Sequence, residues 1–177
     1  MKKYKLIVVD PPWPVKKIIR RVRPNQKANL DYDTMSINQI KSLPIDSIAK
    51  SNSVCFLWTI QKYLPISFGI LEGWGFRYQR TLTWDKKNGL CLFGFHHRTE
   101  FILFGYRGKL EMYPKRKAIP TILAEYSNIH SRKPDVFYEK VASFGEPRID
   151  LFARTKREGW DVWGDEVESD INLMRHK

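Results

Sequence analysis

Lys5-Leu6-Ile7-Val8-Val9-Asp10-Pro11-Pro12-Trp13 joins an apolar, β-branched run to an acid and two prolines. A run with no polar face reads as a strand buried on both sides of a sheet. Its end is abrupt, because neither proline can donate a ladder hydrogen bond and pairing must stop near Asp10. Outward from this stretch, residues 54–58 and 101–104 are further apolar runs, residues 77–84 alternate as a strand, and residues 148–153 read as another strand. Helical segments lie between them. Ser36, with Gln39 three residues on, makes a capping box that opens a short helix ending before Pro44. Residues 64–73 form a helix that tolerates Pro65 in its first turn, and Pro134 opens one that stops by Gly145. Buried strands alternating with helices predict an α/β fold, a sheet with helices on both faces. Ligands in such folds bind beyond the carboxyl ends of the strands, which directs attention to residues 10–13, 59–62 and 154 onward.

The 177 residues suit one domain spanning 1–177, and a hydrophobic share of 42 % suffices for a core. No apolar run is long enough to cross a membrane, and the start of the chain does not have the pattern of a signal peptide. Cys55 and Cys91 lie in apolar surroundings without metal-like spacing, so both are expected to be reduced and buried, in the cytoplasm. His96 and His97 have no neighbouring ligand types, so no metal site is expected. The charge is more informative. Thirty-one Lys and Arg against 19 acids give +12, the balance of a domain that faces a polyanion. Lys16, Lys17, Arg20, Arg21 and Arg23 cluster in one proline-bearing, loop-like stretch, and Lys109, Lys115, Arg116 and Lys117 in another.

A carboxylate beside a rigid backbone carbonyl suits a definite chemical task. An exocyclic adenine amine is a poor nucleophile, because its lone pair is delocalised into the ring. Two acceptors gripping its two N–H bonds free that lone pair; Asp10 and the Pro11 carbonyl are such a pair. The prolines fix the backbone and bring no competing N–H of their own. Trp13 then offers a face on which an extruded base can stack. The same four residues also fit a turn that only ends a strand, with Trp13 packed into the core.

With these words in place the chain resembles the MT-A70 family of N6-adenine methyltransferases, along nearly its whole length. Asp10 to Trp13 is similar to the family's catalytic tetrapeptide. In order there follow Tyr32-Asp33-Thr34-Met35-Ser36, Phe56-Leu57-Trp58, Gly73-Trp74-Gly75-Phe76, Trp84-Asp85-Lys86, Glu100 with the next strand, and Arg107-Gly108. The last words are His130-Ser131-Arg132-Lys133-Pro134-Asp135, Asp150-Leu151-Phe152-Ala153-Arg154, Gly159-Trp160-Asp161 and Trp163-Gly164-Asp165-Glu166. The resemblance implies a Rossmann-like S-adenosylmethionine-dependent methyltransferase fold in which the catalytic words precede the cofactor-binding strand. It implies that Asp10, Pro11, Pro12 and Trp13 are catalytic. Asp10, Lys133, Asp150, Phe152, Arg154, Asp165 and Glu166 then line the S-adenosylmethionine pocket, with Lys133 and Arg154 meeting the methionine carboxylate and Asp150 the ribose. Trp13, Tyr32 and Glu100 are expected to hold the adenine. Lys16, Lys17, Arg20, Arg21 and Arg23, in a loop that reorders around the ligands, are expected to meet phosphates.

The chain also departs from the family's pattern. Longer relatives carry an acidic-plus-apolar pair ahead of the catalytic strand; here that contact is expected to be missing or replaced. Asp165 stands where asparagine is usual, and Asp31 and Asp33 flank Tyr32 where histidine and proline are more frequent. With no separate recognition domain, sequence readout is expected from loops, a partner subunit or a second copy. DNA is the preferred substrate on the chain's compact, bacterial- or phage-like form. Adenine in RNA, cytosine N4, a small molecule, and a non-catalytic nucleic-acid-binding subunit are the alternatives.

Overall fold

The computed structural model describes residues 2–15, 33–92, 94–110, 118–125 and 133–173. The apolar run becomes β1 (Tyr4–Val9), which lies between and parallel to β2 (Ala49–Thr59) and β6 (Arg148–Leu151). Leu6, Ile7, Val8 and Val9 are all fully buried, as a strand covered on both faces requires. Beyond β6 lies β7 (Asp161–Trp163); beyond β2 lie β4 (Phe95–Arg107), β3 (Arg77–Leu92) and β5 (Ile122–Ala124). The seven strands run β5-β3-β4-β2-β1-β6-β7. The sheet is mixed: β4 is antiparallel to both β2 and β3, and the remaining pairs are parallel.

The pleat sends alternate side chains to opposite faces. On one face Ile7, Val9, Cys55 and Leu57 pack under α1 (Ile37–Lys41), α2 (Ile45–Ile48) and α3 (Leu64–Gly73). On the other, Leu6, Val8, Phe56 and Trp58 pack under α4 (Asp135–Val141). Phe137 of α4 is the keystone of that face, meeting Phe56 edge-on at 5.7 Å and Trp58 at 4.9 Å. Helices therefore cover both faces, as expected of this α/β fold.

Several boundaries follow the local chemistry. The Ser36–Gln39 capping box is present in both directions, and Pro65 sits in the first turn of α3. β6 stops at Leu151, two residues earlier than expected, because Phe152 adopts φ 63° and turns the chain out of the sheet. Residues 77–84 and 101–104 are only the inner parts of β3 and β4, which continue outward as a ribbon. The short elements α2, β5 and β7 were not anticipated, since three or four residues carry no readable period. Cys55 is buried as expected, but Cys91 is exposed, because it lies on the ribbon and not in the core. Among the described residues no helix is long and apolar enough to cross a membrane.

Register aligns the strand ends. Val9 is opposite both Leu57 and Leu151, Leu151 is opposite Trp163, and Thr59 is opposite Phe101, itself opposite Thr83. Asp10, residues 60–62, Phe152 and Gly164 thus all emerge at one edge of the sheet.

Replacing Phe137 by alanine removes a fully buried ring with three aromatic neighbours, Phe56, Trp58 and Tyr138, and should cost about 3 to 5 kcal/mol, read by urea unfolding. A loss below about 1 kcal/mol would mean that α4 is not held to the sheet in this way.

Candidate active site

Asp10 leaves β1 with its N–H donated to the Leu151 carbonyl at 3.3 Å, the last tie to the sheet. The next residues are held from several sides. Trp13 N–H donates to the Pro11 carbonyl at 2.8 Å, and Met35 N–H to the Pro12 carbonyl at 2.9 Å. The Trp13 ring stacks on Tyr63 at 5.1 Å and 14°, and its Nε1 donates to the Trp58 carbonyl at 3.1 Å. Tyr63 Oη in turn donates to the Pro14 carbonyl at 2.5 Å.

Two expectations change as a result. Trp13 is only 5 % exposed and already stacked, so it buttresses the turn and does not present an open face to a base. The Pro11 carbonyl is not free of competition either: the Trp13 N–H takes one of its lone pairs, and a second acceptor position remains.

A chain of alternating charges runs across the strand ends. Lys133 Nζ lies 2.6 Å from Asp10 Oδ2 and 3.4 Å from Glu100 Oε2, and Lys86 Nζ lies 3.1 Å from Glu100 Oε1. Lys133 also sits over the Trp58 ring at 5.0 Å. Burial pushes the Asp10 carboxyl above its ordinary value, against the pull of Lys133. Burial works against the charge on Lys133, but Asp10 and Glu100 outweigh it and hold the ammonium above the usual lysine value. Burial likewise raises Glu100, and its two lysine neighbours outweigh that and bring it below its ordinary value. Glu100 lies within β4, opposite Trp84. Lys86 was visible in the sequence only as part of the word Trp84-Asp85-Lys86; no spacing rule links it to Glu100.

Beside Asp10 opens a cavity of about 410 Å3. Asp10, Pro12, Asp33, Phe152, Ala153, Arg154, Asp165 and Glu166 line it. Two backbone features shape it. Phe152, in the left-handed region, turns its ring onto Trp163 at 5.0 Å. Gly164 passes so close to Ala153 that a Cβ there would lie 2.5 Å from the Ala153 carbonyl oxygen, so only glycine allows the approach. Arg154 pairs with Glu166 at 3.1 Å. In a protein of net charge +12, four carboxylates facing one cavity mark a place for a cation. Acidic walls for a sulfonium and an ammonium, acceptors for ribose hydroxyls and a guanidinium for a carboxylate together fit S-adenosylmethionine, and the volume suits a ligand of that size.

Asp150 does not belong to this cavity. It is opposite Val8, facing α4, and 2 % exposed. Its carboxylate is bonded by Arg157 Nη1 at 3.2 Å and by Tyr138, while Arg157 lies 3.6 Å from the Tyr138 ring centroid and reaches Asp135 at 3.2 Å. A buried acid needs such a partner, and the ribose contact expected of it is taken by structure. Arg148, two residues before it, pairs with Glu146. Lys133 likewise reaches Asp10 and is not in the cavity wall. Tyr32, Lys16, Lys17, Arg20, Arg21 and Arg23 lie outside the described residues. Among those described, no group of three or more His, Cys, Asp or Glu gathers as metal ligands would.

Comparison with known proteins bears on the same residues. The MT-A70 family matches residues 4–166. The chain is 28 % identical over 186 residues to the type II methyltransferase M.MunI of Mycoplasma sp, covering 94 % of this chain and 78 % of that protein. It is 27 % identical over 187 residues to the human N(6)-adenine-specific methyltransferase METTL4, with 94 % of this chain and 38 % of that protein covered. It is 28 % identical over 178 residues to the N6-methyladenosine RNA methyltransferase MTA1 of Cryphonectria parasitica, with 93 % and 52 % covered. The chain therefore spans well under two thirds of the two eukaryotic relatives.

Burial pushes the Asp150 carboxyl up to about 7, against Arg157 and Tyr138. A folded value above the unfolded one favours the fold at low pH, and that contribution is lost as pH rises through about 7. Asp150→Asn should therefore gain stability relative to the parent between pH 5 and pH 8, by a few kcal/mol at most, in urea unfolding at the two values. A difference that is flat or of opposite sign would show the carboxylate to be ionised throughout.

Proposed function

Because the chain belongs to the MT-A70 family of N6-adenine methyltransferases, we propose that it methylates the N6 amine of adenine in DNA with S-adenosylmethionine as donor. The observation that carries this reading is the place of Asp10, which follows the central strand, lines an acidic cavity and has its carboxylate held by Lys133 at 2.6 Å, with the Pro11 carbonyl next in the chain. Asp10 presents Oδ1 to one N–H of the amine while Lys133 holds Oδ2. The remaining lone pair of the Pro11 carbonyl takes the other N–H. Gripped at both bonds, the amine moves towards a tetrahedral shape and its lone pair turns out of the ring. The bound cofactor supplies a methyl group already activated on a sulfonium, so no covalent enzyme intermediate is needed.

The remaining residues bind and orient. Asp165 and Glu166 take the ribose hydroxyls, Arg154 the cofactor's carboxylate, and Phe152 packs against its adenosine. Lys133 fixes the rotation of the Asp10 carboxylate, and Glu100 with Lys86 fixes Lys133. The raised proton affinity of Asp10 helps it hold the proton that the amine sheds after transfer. Trp13 keeps the turn rigid through Tyr63 and Trp58, since a displacement of an ångström at the acceptors would cost much of the rate. DNA is taken as the substrate on the likeness to the type II methyltransferase M.MunI, which spans 94 % of this chain.

The test is direct. Purified protein is incubated with labelled S-adenosylmethionine and either DNA or RNA, and the product is digested to nucleosides. Label should appear in N6-methyldeoxyadenosine, and Asp10→Ala and Asp10→Asn should lose on the order of a hundredfold or more in rate while still binding cofactor. Label in RNA alone would overturn the choice of DNA, and an active Asp10→Ala would overturn the mechanism.

A further inference from the structure

The cavity beside Asp10 carries more negative charge than its own ion pairs use. Of its four carboxylates, Asp10 is held by Lys133 at 2.6 Å and Glu166 by Arg154 at 3.1 Å. Asp33 and Asp165 are exposed and form no ion pair with any described residue. Their places are set by the backbone and not by their side chains. The Met35 N–H donates to the Pro12 carbonyl at 2.9 Å, which pins the segment that begins at Asp33 beside the turn that carries Asp10. Asp165 follows Gly164, whose N–H donates to Ser169 Oγ at 3.1 Å and whose approach to Ala153 leaves no room for a Cβ. Two carboxylates held at one cavity without a cation repel each other and attract a positively charged ligand, while a neutral ligand gains little from them.

Donor and by-product of the proposed reaction differ by one charge. S-adenosylmethionine carries a sulfonium, an ammonium and a carboxylate, and so one net positive charge. When the methyl carbon passes to nitrogen, the S–C electron pair stays on sulfur and the sulfonium becomes a neutral thioether. The nitrogen sheds its extra proton, and the S-adenosylhomocysteine left behind has no net charge. Adenine, ribose, ammonium and carboxylate are common to both, so contacts to those groups do not tell the two apart. The unpaired acids do. Asp33 and Asp165 are also acids that the family's pattern does not contain at these places, so the excess charge belongs to this chain.

We propose that Asp33 and Asp165 make the cavity charge-selective, so that it holds the cationic methyl donor in preference to the neutral by-product and empties after each transfer. This rests on S-adenosylmethionine being the donor and is independent of which nucleic acid receives the methyl group.

The experiment is isothermal titration calorimetry at low salt with the parent, Asp33→Asn, Asp165→Asn and Asp33→Glu. Three ligands are titrated: S-adenosylmethionine, S-adenosylhomocysteine, and sinefungin, in which a protonated amine stands in place of the sulfonium. The reading is a ratio of dissociation constants, by-product over donor, in which the contacts shared by both ligands cancel, any bond from Asp165 to ribose included. Each asparagine variant should lower that ratio by about three- to fivefold, the size expected of one exposed charge. Asp33→Glu should keep the parent's ratio, and sinefungin should follow the donor. Raising the salt to about 0.5 M should shrink the parent's ratio, because exposed charges are screened. A ratio unchanged in both asparagine variants, or equal losses for all three ligands, would overturn the inference. Failure of the cofactor reading looks different, since the parent would then bind neither donor nor by-product, and the inference would fall with it. A parent that binds both but labels no DNA would fail only the choice of nucleic acid, and the ratio would decide the inference as before.

Discussion

A strand buried on both faces and cut short by two prolines forces the acid that follows it to the edge of the sheet. β1 cannot continue, because Pro11 and Pro12 have no N–H for the ladder, and it cannot slip, because Leu6 to Val9 are wholly enclosed. Asp10 therefore emerges at one fixed point. The neighbouring strands β2 and β6 end alongside it, so their following residues converge on the same place. The rest of the site depends on that stop: Trp13 locks the turn from beneath, Lys133 meets the carboxylate from α4's entry, and Phe152 and Gly164 open the cavity beside it.

The electrostatics follow from burial. Three of the site's charges, Asp10, Lys133 and Glu100, are mostly withdrawn from water, and each is tolerable only because the others are there. Lys133 lies between two carboxylates, so removing either acid would leave it facing the other alone. This coupling holds the Asp10 carboxylate through its Oδ2. The separate network of Asp150, Arg157, Tyr138 and Asp135 applies the same rule to architecture, tying β6 to α4.

Much of this was legible from the residues. The β1 run, the capping box at Ser36, the helix at Pro65 and the halt at Asp10 all rest on local rules, and each appears in the structure. The cavity residues Phe152, Arg154, Asp165 and Glu166 were found because they lie in family words at strand ends. What sequence concealed was partnership over distance. Nothing local says that Lys133 bridges Asp10 and Glu100, or that Asp150 is spent on Arg157, since these contacts exist only once α4 has crossed the sheet. Trp13 was misjudged for a related reason: the same ring can stack on a base or on Tyr63, and the choice is made by where α3 begins. The β3–β4 ribbon was read only as its two buried inner segments, because the outer residues have no sheet neighbour to impose a period.

The central claim concerns two acceptors, Asp10 Oδ1 and the Pro11 carbonyl, and a methyl donor aimed between them. A crystal structure of the protein with S-adenosylmethionine tests it most directly. The cofactor should occupy the cavity beside Phe152 and Arg154, its methyl directed at the gap before those two oxygens, so that a nitrogen seated there would lie about 3 to 3.5 Å from the carbon. A cofactor bound elsewhere, or an Asp10 carboxylate turned wholly onto Lys133 and away from the methyl, would contradict the account.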